Sequence, residues 1–357
     1  MNPKVNVENF WDSLKERLRA MRKFGDCYID LGTANTLVYS SQALQVNEPT
    51  VLTARLKCDK IYDYSAFGQY AKKMVGKTPL FMSSIAPLKE GVIADFESTL
   101  KLMNFFLRRQ RTTSFYRKTR LLISLPCHVT HYERESIREL GIELGASRVD
   151  LLSEPMAAAI GTGLDVLGSS ASMIVDIGGG TSEAAVLTLG GTVASFARRV
   201  GGNSLETDII RHLREQYKFE IGPQTAEFLK MSIGRAFLRK NLDKRVQIAG
   251  IHRETGLPEK FTVSSGMIAR PVDRFVEQIV DIIRRTFEQC PPEVIGDISC
   301  NGIILAGGGA LLSGLPERIS QSVGVRVIVA KDPLYAVVRG GARVLDDHKF
   351  FDRLEVG

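Results

Sequence analysis

Short apolar runs separated by polar or glycine-rich turns cover most of the chain, and one of them carries the clearest pattern. Residues 172–177 form an apolar run with Asp176 near its end, and residues 184–189 form a second run, which predicts strand, tight turn, strand. Between the runs lie Gly178, Gly179, Gly180 and Thr181. Because glycine has no Cβ, the backbone N–H groups of such a turn can approach a phosphate closely, and Asp176 is well placed to hold a hydrated Mg²⁺. A glycine-rich turn without a ligand is the ordinary alternative.

The same pattern occurs near the start of the chain. Residues 27–39 predict a strand that ends near Asp30, a small polar turn and a second strand. The turn contains Gly32, Thr33, Ala34 and Asn35. This repeat predicts a duplicated lobe, with two hairpins that grip a triphosphate between them. Since a strand rather than a helix follows each glycine turn, the pattern argues against a Rossmann or P-loop site.

Two further glycine stretches lie in the second half of the chain. Residues 302–312 predict a strand, a glycine turn and a helix N-terminus, a geometry that suits a nucleotide. That turn contains Gly307, Gly308, Gly309 and Ala310. Upstream, Gly201 and Gly202 lead from a strand into a helix, and we expect Asn203 and Glu206 to cap this helix.

Two predicted helices carry further candidate polar groups. Thr130 and Glu133 form a capping-box pattern at a helix start, which also puts the Glu133 carboxylate at the mouth of the cleft, where it can orient a water. A helix over about 224–240 has Glu227 and Lys230 on one face. These two residues form either an i,i+3 ion pair or a clamp for a ribose.

The first predicted helix, at residues 5–24, has one apolar face with basic residues on its flanks. The apolar face includes Phe10, Trp11, Leu14, Leu18 and Met21. Such a face can dock on the core of the protein itself. The amphipathic pattern, the aromatic anchor and the basic flanks favour a helix that lies in the plane of a membrane.

A basic loop over residues 108–120 carries the aromatic pair Phe115 and Tyr116 at its tip. The pattern is compatible with a second contact to acidic lipid, in which both rings enter the membrane interface. A plain solvated loop ranks second. Nucleic acid, whose bases stack on aromatic rings among arginines, ranks last.

Composition sets limits on these hypotheses. The chain has 357 residues, of which 44% are hydrophobic, and is long enough for two domains or one two-lobed domain. No apolar run is long enough to cross a bilayer and the N-terminus lacks a signal-peptide pattern, so we expect a cytoplasmic protein. Five cysteines without CxxC spacing predict free thiols. The net charge of +7 permits an anionic partner: a nucleotide, a nucleic acid or acidic lipid.

Together these pieces resemble the actin/Hsp70/sugar-kinase ATPase superfamily and, within it, the MreB family of bacterial actins. The resemblance covers about residues 26–346. The matching motifs are DLGTANTLVY at 30–39, GVIADF at 91–96, ERESI at 133–137, EPMAAAIG at 154–161, VDIGGGTSEAAV at 175–186, TAEFLKMSIG at 225–234, TGLPEK at 255–260, ILAGGGALLSGL at 304–315 and DPLYAVVRGGARVL at 332–345.

The resemblance implies an α/β, actin-like ATPase fold. It has two duplicated RNase H-like lobes around a nucleotide cleft, and each lobe has a small appended subdomain. Residues 1–25 are expected to form the membrane helix. The implied division gives lobe I residues 26–152 and 325–357 with a subdomain at about 40–75, and lobe II residues 153–324 with a subdomain at about 191–262.

The resemblance also implies a slow ATPase with ATP and Mg²⁺ in the cleft. Asp30 and Asp176 would sit at the metal. Glu133 would orient the attacking water, with Asp176 and Thr181 as the other catalytic residues. The implied nucleotide contacts are Gly32, Thr33, Ala34, Asn35, Gly178, Gly179, Gly180, Thr181, Gly201, Gly202, Glu227, Lys230, Gly307, Gly308, Gly309 and Ala310.

The resemblance also implies partners, because members of this family form filaments that bind each other and a membrane. They are typically paired and antiparallel, and they bind the inner face of the cell membrane through an N-terminal amphipathic helix and an apolar loop. Residues 5–24 match the helix, and Phe115 and Tyr116 fall where the loop is expected. The resemblance therefore implies self-association, an anionic inner-membrane surface, and cell-wall elongation proteins such as RodZ and MreC, in a role in cell shape; nucleic acid is not expected.

Four positions depart from the family pattern. Ser153, Ser182, Asn203 and Ser232 stand where the family often has Glu, Thr, Asp and an acidic residue. These departures bear on hydrolysis rate and filament contacts more than on the fold. The open alternatives are a divergent bacterial actin that positions an organelle or DNA and, less favoured, a small-molecule kinase of the same superfamily.

Overall fold

A computed structural model of the chain describes residues 26–40, 43–57, 60–108, 119–237 and 243–354. The predicted membrane helix at 5–24 and the loop tip at Phe115 and Tyr116 lie outside these residues, so both stay predictions.

The described residues form strands and helices in alternation. The strands are β1 (Cys27–Leu31), β2 (Asn35–Ser40), β3 (Ala43–Pro49), β4 (Leu52–Lys57), β5 (Lys60–Phe67), β6 (Met82–Ile85), β7 (Leu88–Lys89), β8 (Val92–Ile93), β9 (Arg120–Leu125), β10 (Arg148–Ser153), β11 (Ser172–Ile177), β12 (Ser182–Thr188), β13 (Gly191–Arg198), β14 (Phe219–Glu220), β15 (Arg245–His252), β16 (Pro258–Ser264), β17 (Ile303–Ala306) and β18 (Val327–Val329). The α-helices are α1 (Gln69–Met74), α2 (Phe96–Arg108), α3 (His131–Glu143), α4 (Glu154–Thr162), α5 (Gly202–Tyr217), α6 (Pro223–Ile233), α7 (Ala269–Phe287), α8 (Pro292–Asn301), α9 (Leu315–Val323), α10 (Ala336–Asp346) and α11 (His348–Phe351).

Two five-stranded sheets share one topology. The first has the order β3-β2-β1-β9-β10, and the second has the order β13-β12-β11-β17-β18. In each sheet the first three strands run antiparallel, and the last two are added in parallel. This shared order confirms the predicted duplicated lobes. The two glycine turns are equivalent, because each joins the first two strands of its sheet.

The central strands are buried on both faces because helices cover both sides of each sheet. Every residue of β9 and of β11 is buried, which explains why these segments read as continuous apolar runs rather than as alternating ones. Each lobe has its own apolar core.

A third apolar core joins the two lobes, and α4 and α10 contribute 10 of its 21 buried residues. The two helix backbones lie in direct contact. A Cβ at Gly161 would lie 1.8 Å from the carbonyl oxygen of Ala336, and a Cβ at Gly340 would lie 1.7 Å from that of Ala157. Only glycine at both positions allows this approach, so the small-residue pattern of these helices has a packing cause.

Each lobe also carries a small three-stranded sheet. The order is β5-β4-β6 in the first lobe, where α1 packs beside it, and β14-β15-β16 in the second, beside α6. The expected subdomain bounds of 40–75 and 191–262 are shifted, because β3 and β13 pair with β2 and β12 in the large sheets. The hairpin turn at Leu189 and Gly190, both at positive φ, directs β13 back along β12.

The lobe boundary expected at residue 325 also assigns one strand to the wrong lobe. Strand β18 pairs in parallel with β17 and therefore belongs to the second sheet, not to the first lobe. The crossover through α9 carries the chain back to that sheet edge, the usual path between parallel neighbours. The assignment of the remaining ranges to lobes stays a prediction.

Two local predictions also change. The helix expected over 224–240 is shorter, because α6 ends at Ile233, and the N–H of the next residue, Gly234, is bonded to the carbonyls of Leu229 and Lys230. After Gly307 the chain forms a short 3₁₀ turn, Gly308–Leu311, and the α-helix α9 starts only at Leu315. Among the described residues, no helix combines the length and apolarity needed to span a bilayer.

Candidate functional site

The two glycine turns face each other across the cleft between the sheets. A Cβ at Gly179 would lie 2.5 Å from the Cβ of Ala34, and one at Gly180 would lie 2.5 Å from the Oγ1 of Thr33. Side chains at these two glycines would therefore collide with the opposite turn. The structure brings together the two hairpins that the sequence predicted, with their backbone groups close enough to share one anionic ligand.

Hydrogen bonds fix the shape of each turn. In the second turn the N–H of Gly178 donates to the carbonyl of Thr181 at 2.8 Å. In the first, the hydroxyl of Thr50 donates to the carbonyl of Gly32 at 2.6 Å. The hydroxyl of Thr33 accepts from the N–H of Gly91 at 2.9 Å. The cradle is therefore pre-formed by the chain.

Gly201 and Gly202 pack against the second turn. A Cβ at Gly201 would lie 2.5 Å from the carbonyl oxygen of Gly179. The N–H of Gly202 donates to the carbonyl of Gly178 at 3.0 Å, and the N–H of Asn203 donates to that of Gly179 at 2.9 Å. The N-terminus of α5 thus holds the turn in place.

The cap expected for this helix differs from the prediction. The hydroxyl of Ser204 accepts from the N–H of Gly201 at 3.0 Å, so Ser204 satisfies the helix start. Glu206 instead accepts from Lys230 at 2.5 Å. Asn203 contributes its backbone N–H to the glycine turn rather than a side-chain cap.

Asp30 and Asp176 lie beneath the two turns, one in each lobe. Burial raises the pKa of Asp30 to about 7, with the negative charge of Asp176 as a second cause and a bond from Ser124 opposing both. Burial also raises the pKa of Asp176 to about 6. Two carboxylates without a cation between them are costly in such a place, and a cation would restore their usual acidity.

Two further buried carboxylates, Glu154 and Glu183, complete this cluster, and the sequence analysis assigned no role to either. Burial raises the pKa of Glu154 well above its usual range, and the charges of Glu183, Asp30 and Asp176 add to the effect. Burial also raises the pKa of Glu183 to about 8. Glu154 begins the matching motif at 154–161, and nothing in that local pattern shows that a helix starts there at the cleft.

The cluster suits a hydrated divalent cation. The Oδ1 atom of Asp176 is buried without a hydrogen-bond partner among the described residues. Within the described part of the chain, no three His, Cys, Asp or Glu side chains are placed to enclose a metal. Mg²⁺ usually takes one or two carboxylates and completes its coordination with water and phosphate, so the donors present fit that ion.

Glu133 caps α3 as predicted, and the cap engages its carboxylate. Its Oε2 accepts from the N–H and the hydroxyl of Thr130, at 2.7 and 2.9 Å. Its Oε1 faces Arg199 of the second lobe at 3.4 Å, and Arg199 also contacts Glu90 at 3.1 Å. The structure therefore places Glu133 in a bridge between the lobes. Glu154 is the glutamate that lies beside Asp30 and Asp176.

Glu227 and Lys230 do not pair with each other, although both lie on α6. Glu227 binds Lys72 of the first lobe at 2.7 Å, and Lys230 binds Glu206. Gln224 donates to the carbonyls of Lys72 and Val75 at 2.8 and 3.1 Å, at the C-terminal end of α1. The two small subdomains thus meet above the cleft.

The third glycine turn packs on the end of β11. A Cβ at Gly307 would lie 2.5 Å from the Oδ1 atom of Asp176, and one at Gly309 would lie 2.2 Å from the Cγ2 of Ile177. The N–H of Gly307 donates to the carbonyl of Pro333 at 3.0 Å. The turn therefore borders the same cleft as the two facing hairpins.

Comparison with known proteins gives a consistent set of relatives. The family model for the MreB/Mbl protein matches residues 25–353. The cell shape-determining protein MreB of Escherichia coli (strain K12) is 42% identical over 324 residues, which cover 90% of this chain and 93% of that protein. The cell shape-determining protein Mbl of Bacillus subtilis (strain 168) is 36% identical over 323 residues, covering 90% and 96%.

Solved structures show the same architecture. The crystal structure of MreB 5 of Spiroplasma citri bound to AMPPNP superposes with a TM-score of 0.85 at 33% identity, covering 91% of this chain and 97% of that one. Its ADP-bound structure gives 0.85 at 32% identity, covering 92% and 98%. The MamK double helical filament gives 0.74 at 20% identity, covering 90% and 99%, which shows a shared fold.

Proposed function

Because the chain belongs to the MreB/Mbl family, we propose that it is a bacterial actin that binds ATP with Mg²⁺ between its lobes, hydrolyses it slowly and assembles into filaments. The observation that carries this proposal is the approach of the two glycine turns, with Gly179 and Gly180 against Ala34 and Thr33. An extended polyanion such as a triphosphate is long enough to contact both turns at once.

Each group around the cleft then has a role. The backbone of 32–35 and 178–181 binds the phosphates, with Thr181 at the end of the second turn. Gly201 and Gly202 support that turn. The turn at 307–310 borders the nucleoside side of the cleft. Glu227 and Lys230 lie on α6 beside it, where exchange of Lys72 or Glu206 for ribose hydroxyls would free them to bind the sugar.

Asp30 and Asp176 would hold Mg²⁺, whose charge stabilises the phosphate oxygens during hydrolysis. Their raised pKa values, and the unpartnered Oδ1 of Asp176, support this assignment. Each carboxylate comes from the end of a different sheet, so a closed cleft is needed to bring both to the site.

We assign the water-activating role to Glu154 rather than to Glu133. Glu154 lies buried beside the metal-site carboxylates, where a bound cation would favour its ionised form, the form that a general base needs. It would accept a proton from the water that attacks the terminal phosphorus, while the bond from that phosphorus to the bridging oxygen breaks. Glu133 is engaged by Thr130 and Arg199.

Nucleotide binding and phosphate release test this assignment. With ATP and Mg²⁺, Glu154→Ala should keep ATP binding and lose phosphate release by about 100-fold, the usual effect of removing a general base. Asp176→Ala should lose Mg²⁺-dependent ATP binding. Glu133→Ala is the matched control, with hydrolysis reduced far less than in Glu154→Ala. The opposite ranking of the two glutamates would return the role to Glu133.

We also propose that the filaments lie on the inner face of the cell membrane and organise cell-wall synthesis and cell shape. The amphipathic pattern at residues 5–24 supports this, since it combines an aromatic anchor with basic flanks. Partners such as RodZ and MreC, and the paired antiparallel arrangement, belong to the same proposal.

Vesicle flotation tests the membrane part. Deletion of residues 1–24, or Phe10→Ala with Trp11→Ala, should release the protein from vesicles that contain acidic lipid, because the apolar face is lost. Filament formation in solution should persist. Continued flotation of the deletion variant would contradict the role of this helix and would make Phe115→Ser with Tyr116→Ser the next variant to float.

A further inference from the structure

Glu183 makes a buried hydrogen bond between the lobes that the assignments above do not use. It lies in β12, directly after the second glycine turn, and its residue is only 1% exposed. Its Oε2 accepts from the N–H of Cys127 at 3.0 Å, and Cys127 follows β9 of the first lobe. Because both the donor and the acceptor come from the cleft faces of different lobes, the bond is a specific link across the cleft.

The link continues from Cys127 to the start of α4. The thiol of Cys127 lies close to the Glu183 and Ser153 side chains, and burial raises the pKa of this thiol well above its usual range. Ser153 immediately precedes Glu154, the first residue of α4. The chain of contacts therefore runs from Glu183 through Cys127 and Ser153 to Glu154.

The space beside these contacts makes the link important for closure. A cavity of about 340 Å³ is lined by Cys127 and Ser153, at the ends of β9 and β10, and by Thr192 and Ser195 of β13. The space lies between side chains of the two lobes, so it leaves room for the lobes to move relative to each other beside the Glu183 bond. The Oε1 atom of Glu183 has no hydrogen-bond partner among the described residues, so the bond from the Cys127 N–H to Oε2 is what anchors this carboxyl group there.

We propose that Glu183 is a positioning residue that couples closure of the two lobes to the placement of Glu154. Closure brings Glu183 onto Cys127, which fixes Ser153 and the first turn of α4. Opening removes the carboxylate from Cys127 and releases Glu154. Hydrolysis is thereby restricted to the closed state. This inference rests on the proposed ATPase activity, and it gives the buried Glu183 carboxylate a function despite its cost.

A kinetic comparison separates positioning from binding. Glu183→Ala should lower kcat for ATP hydrolysis by about tenfold or more, as loss of a group that orients another one does, with little change in KM for ATP. Glu183→Gln keeps an oxygen that can accept from the Cys127 N–H, so it should recover most of the lost rate. Glu288→Ala, an exposed glutamate at the end of α7, is the matched control.

Alkylation of Cys127 reports on the link without hydrolysis. With AMPPNP bound, iodoacetamide should modify Cys127 faster in Glu183→Ala than in the native chain, by about tenfold, because the thiol loses its buried partner. Peptide mass spectrometry measures the alkylation of Cys127 separately from that of the other cysteines. Glu154→Ala should hydrolyse ATP about 100-fold more slowly but keep the native alkylation rate, since it leaves the link intact.

The outcomes are distinct. Unchanged kcat and unchanged alkylation in Glu183→Ala would overturn the proposal, and so would a Glu183→Gln variant as impaired as the alanine variant. If Glu183→Ala does not fold, Cys127→Ala interrupts the same chain at the thiol and should lower kcat several-fold at constant KM. If the native chain binds no ATP, the proposed function fails, while alkylation without nucleotide still tests the link.

Discussion

At the scale of single residues, the site contains buried carboxyl groups whose ionised forms are energetically unfavourable. Asp30, Asp176, Glu154 and Glu183 lie together with raised pKa values, chiefly because they are buried. Buried carboxylates without a cation destabilise the folded state and are kept where a ligand compensates them. The cluster therefore indicates a protein whose ligand-free state is less stable than its ligand-bound state.

The first prediction concerns the pH dependence of the free energy of unfolding. Folding raises the pKa of Asp30 from 3.8 to about 7 and that of Glu183 from 4.5 to about 8. The folded state therefore holds protons that the unfolded chain has released, and the ligand-free protein loses stability as the pH rises from about 4 to about 8. Urea unfolding at several pH values measures this slope.

Two comparisons sharpen that measurement. Asp176→Asn has one carboxylate fewer in the cluster, so its stability should fall less over the same pH range. Mg²⁺ with AMPPNP should also flatten the slope, because a bound cation favours the ionised carboxylates. A stability that rises steadily between pH 5 and 8 in the ligand-free native chain would contradict the account of the cluster.

At the scale of elements, the contact between α4 and α10 decides how the lobes are joined. The helices cross at Gly161 and Gly340, and each glycine lies against a carbonyl of the other helix. Ridges of larger side chains would separate the helix axes, so this crossing requires glycine.

We predict that Gly161→Ala destabilises the protein by on the order of 2–3 kcal/mol, because the added methyl overlaps a backbone carbonyl that has no room to move. Gly296→Ala is the control. Gly296 lies in α8, where an added Cβ meets nothing within 4 Å, so this change should be neutral or stabilising by up to about 1 kcal/mol. Equal urea midpoints for the two variants would show that the helix contact is not tight.

The elements also show which features of the fold can be predicted from the sequence. The repeated Asp-x-Gly turn between apolar runs predicted both hairpins and the duplicated lobes, because strand periodicity and turn chemistry are local. The expected lobe boundary put strand β18 in the wrong lobe, because a strand of three residues is too short to show a hydrophobic period. The partners of Glu227 and Lys230 were missed because they lie in other elements: Lys72 on α1 and Glu206 on α5. Such pairs depend on how the lobes and helices dock.

Glu154 shows a second limit of prediction from the sequence. Its pattern, Glu-Pro before a run of small residues, describes a helix start correctly. Which helix starts face the cleft depends on the parallel order of β9 and β10, and sequence periodicity does not give that order. The capping box of Glu133 is easier to recognise in the sequence, and the structure confirms it at the start of α3.

At the scale of the whole molecule, several connections join the lobes. They include the α4–α10 contact, the meeting of the small subdomains through Lys72 and Gln224, the bridge from Arg199 to Glu133, and the bond from Cys127 to Glu183. The cleft between them holds the two glycine turns. A ligand that bridges these turns therefore acts on the relative position of both lobes, and this is how nucleotide would control a surface used in assembly.

The most direct test of this account is assembly with and without nucleotide, followed by pelleting and electron microscopy. The native chain with ATP and Mg²⁺ should form filaments, and Asp176→Ala should remain unassembled under the same conditions because its cleft no longer holds the metal. Filaments that form equally well in Asp176→Ala, or a native chain that neither binds ATP nor assembles, would contradict the claim that nucleotide between the two turns drives assembly.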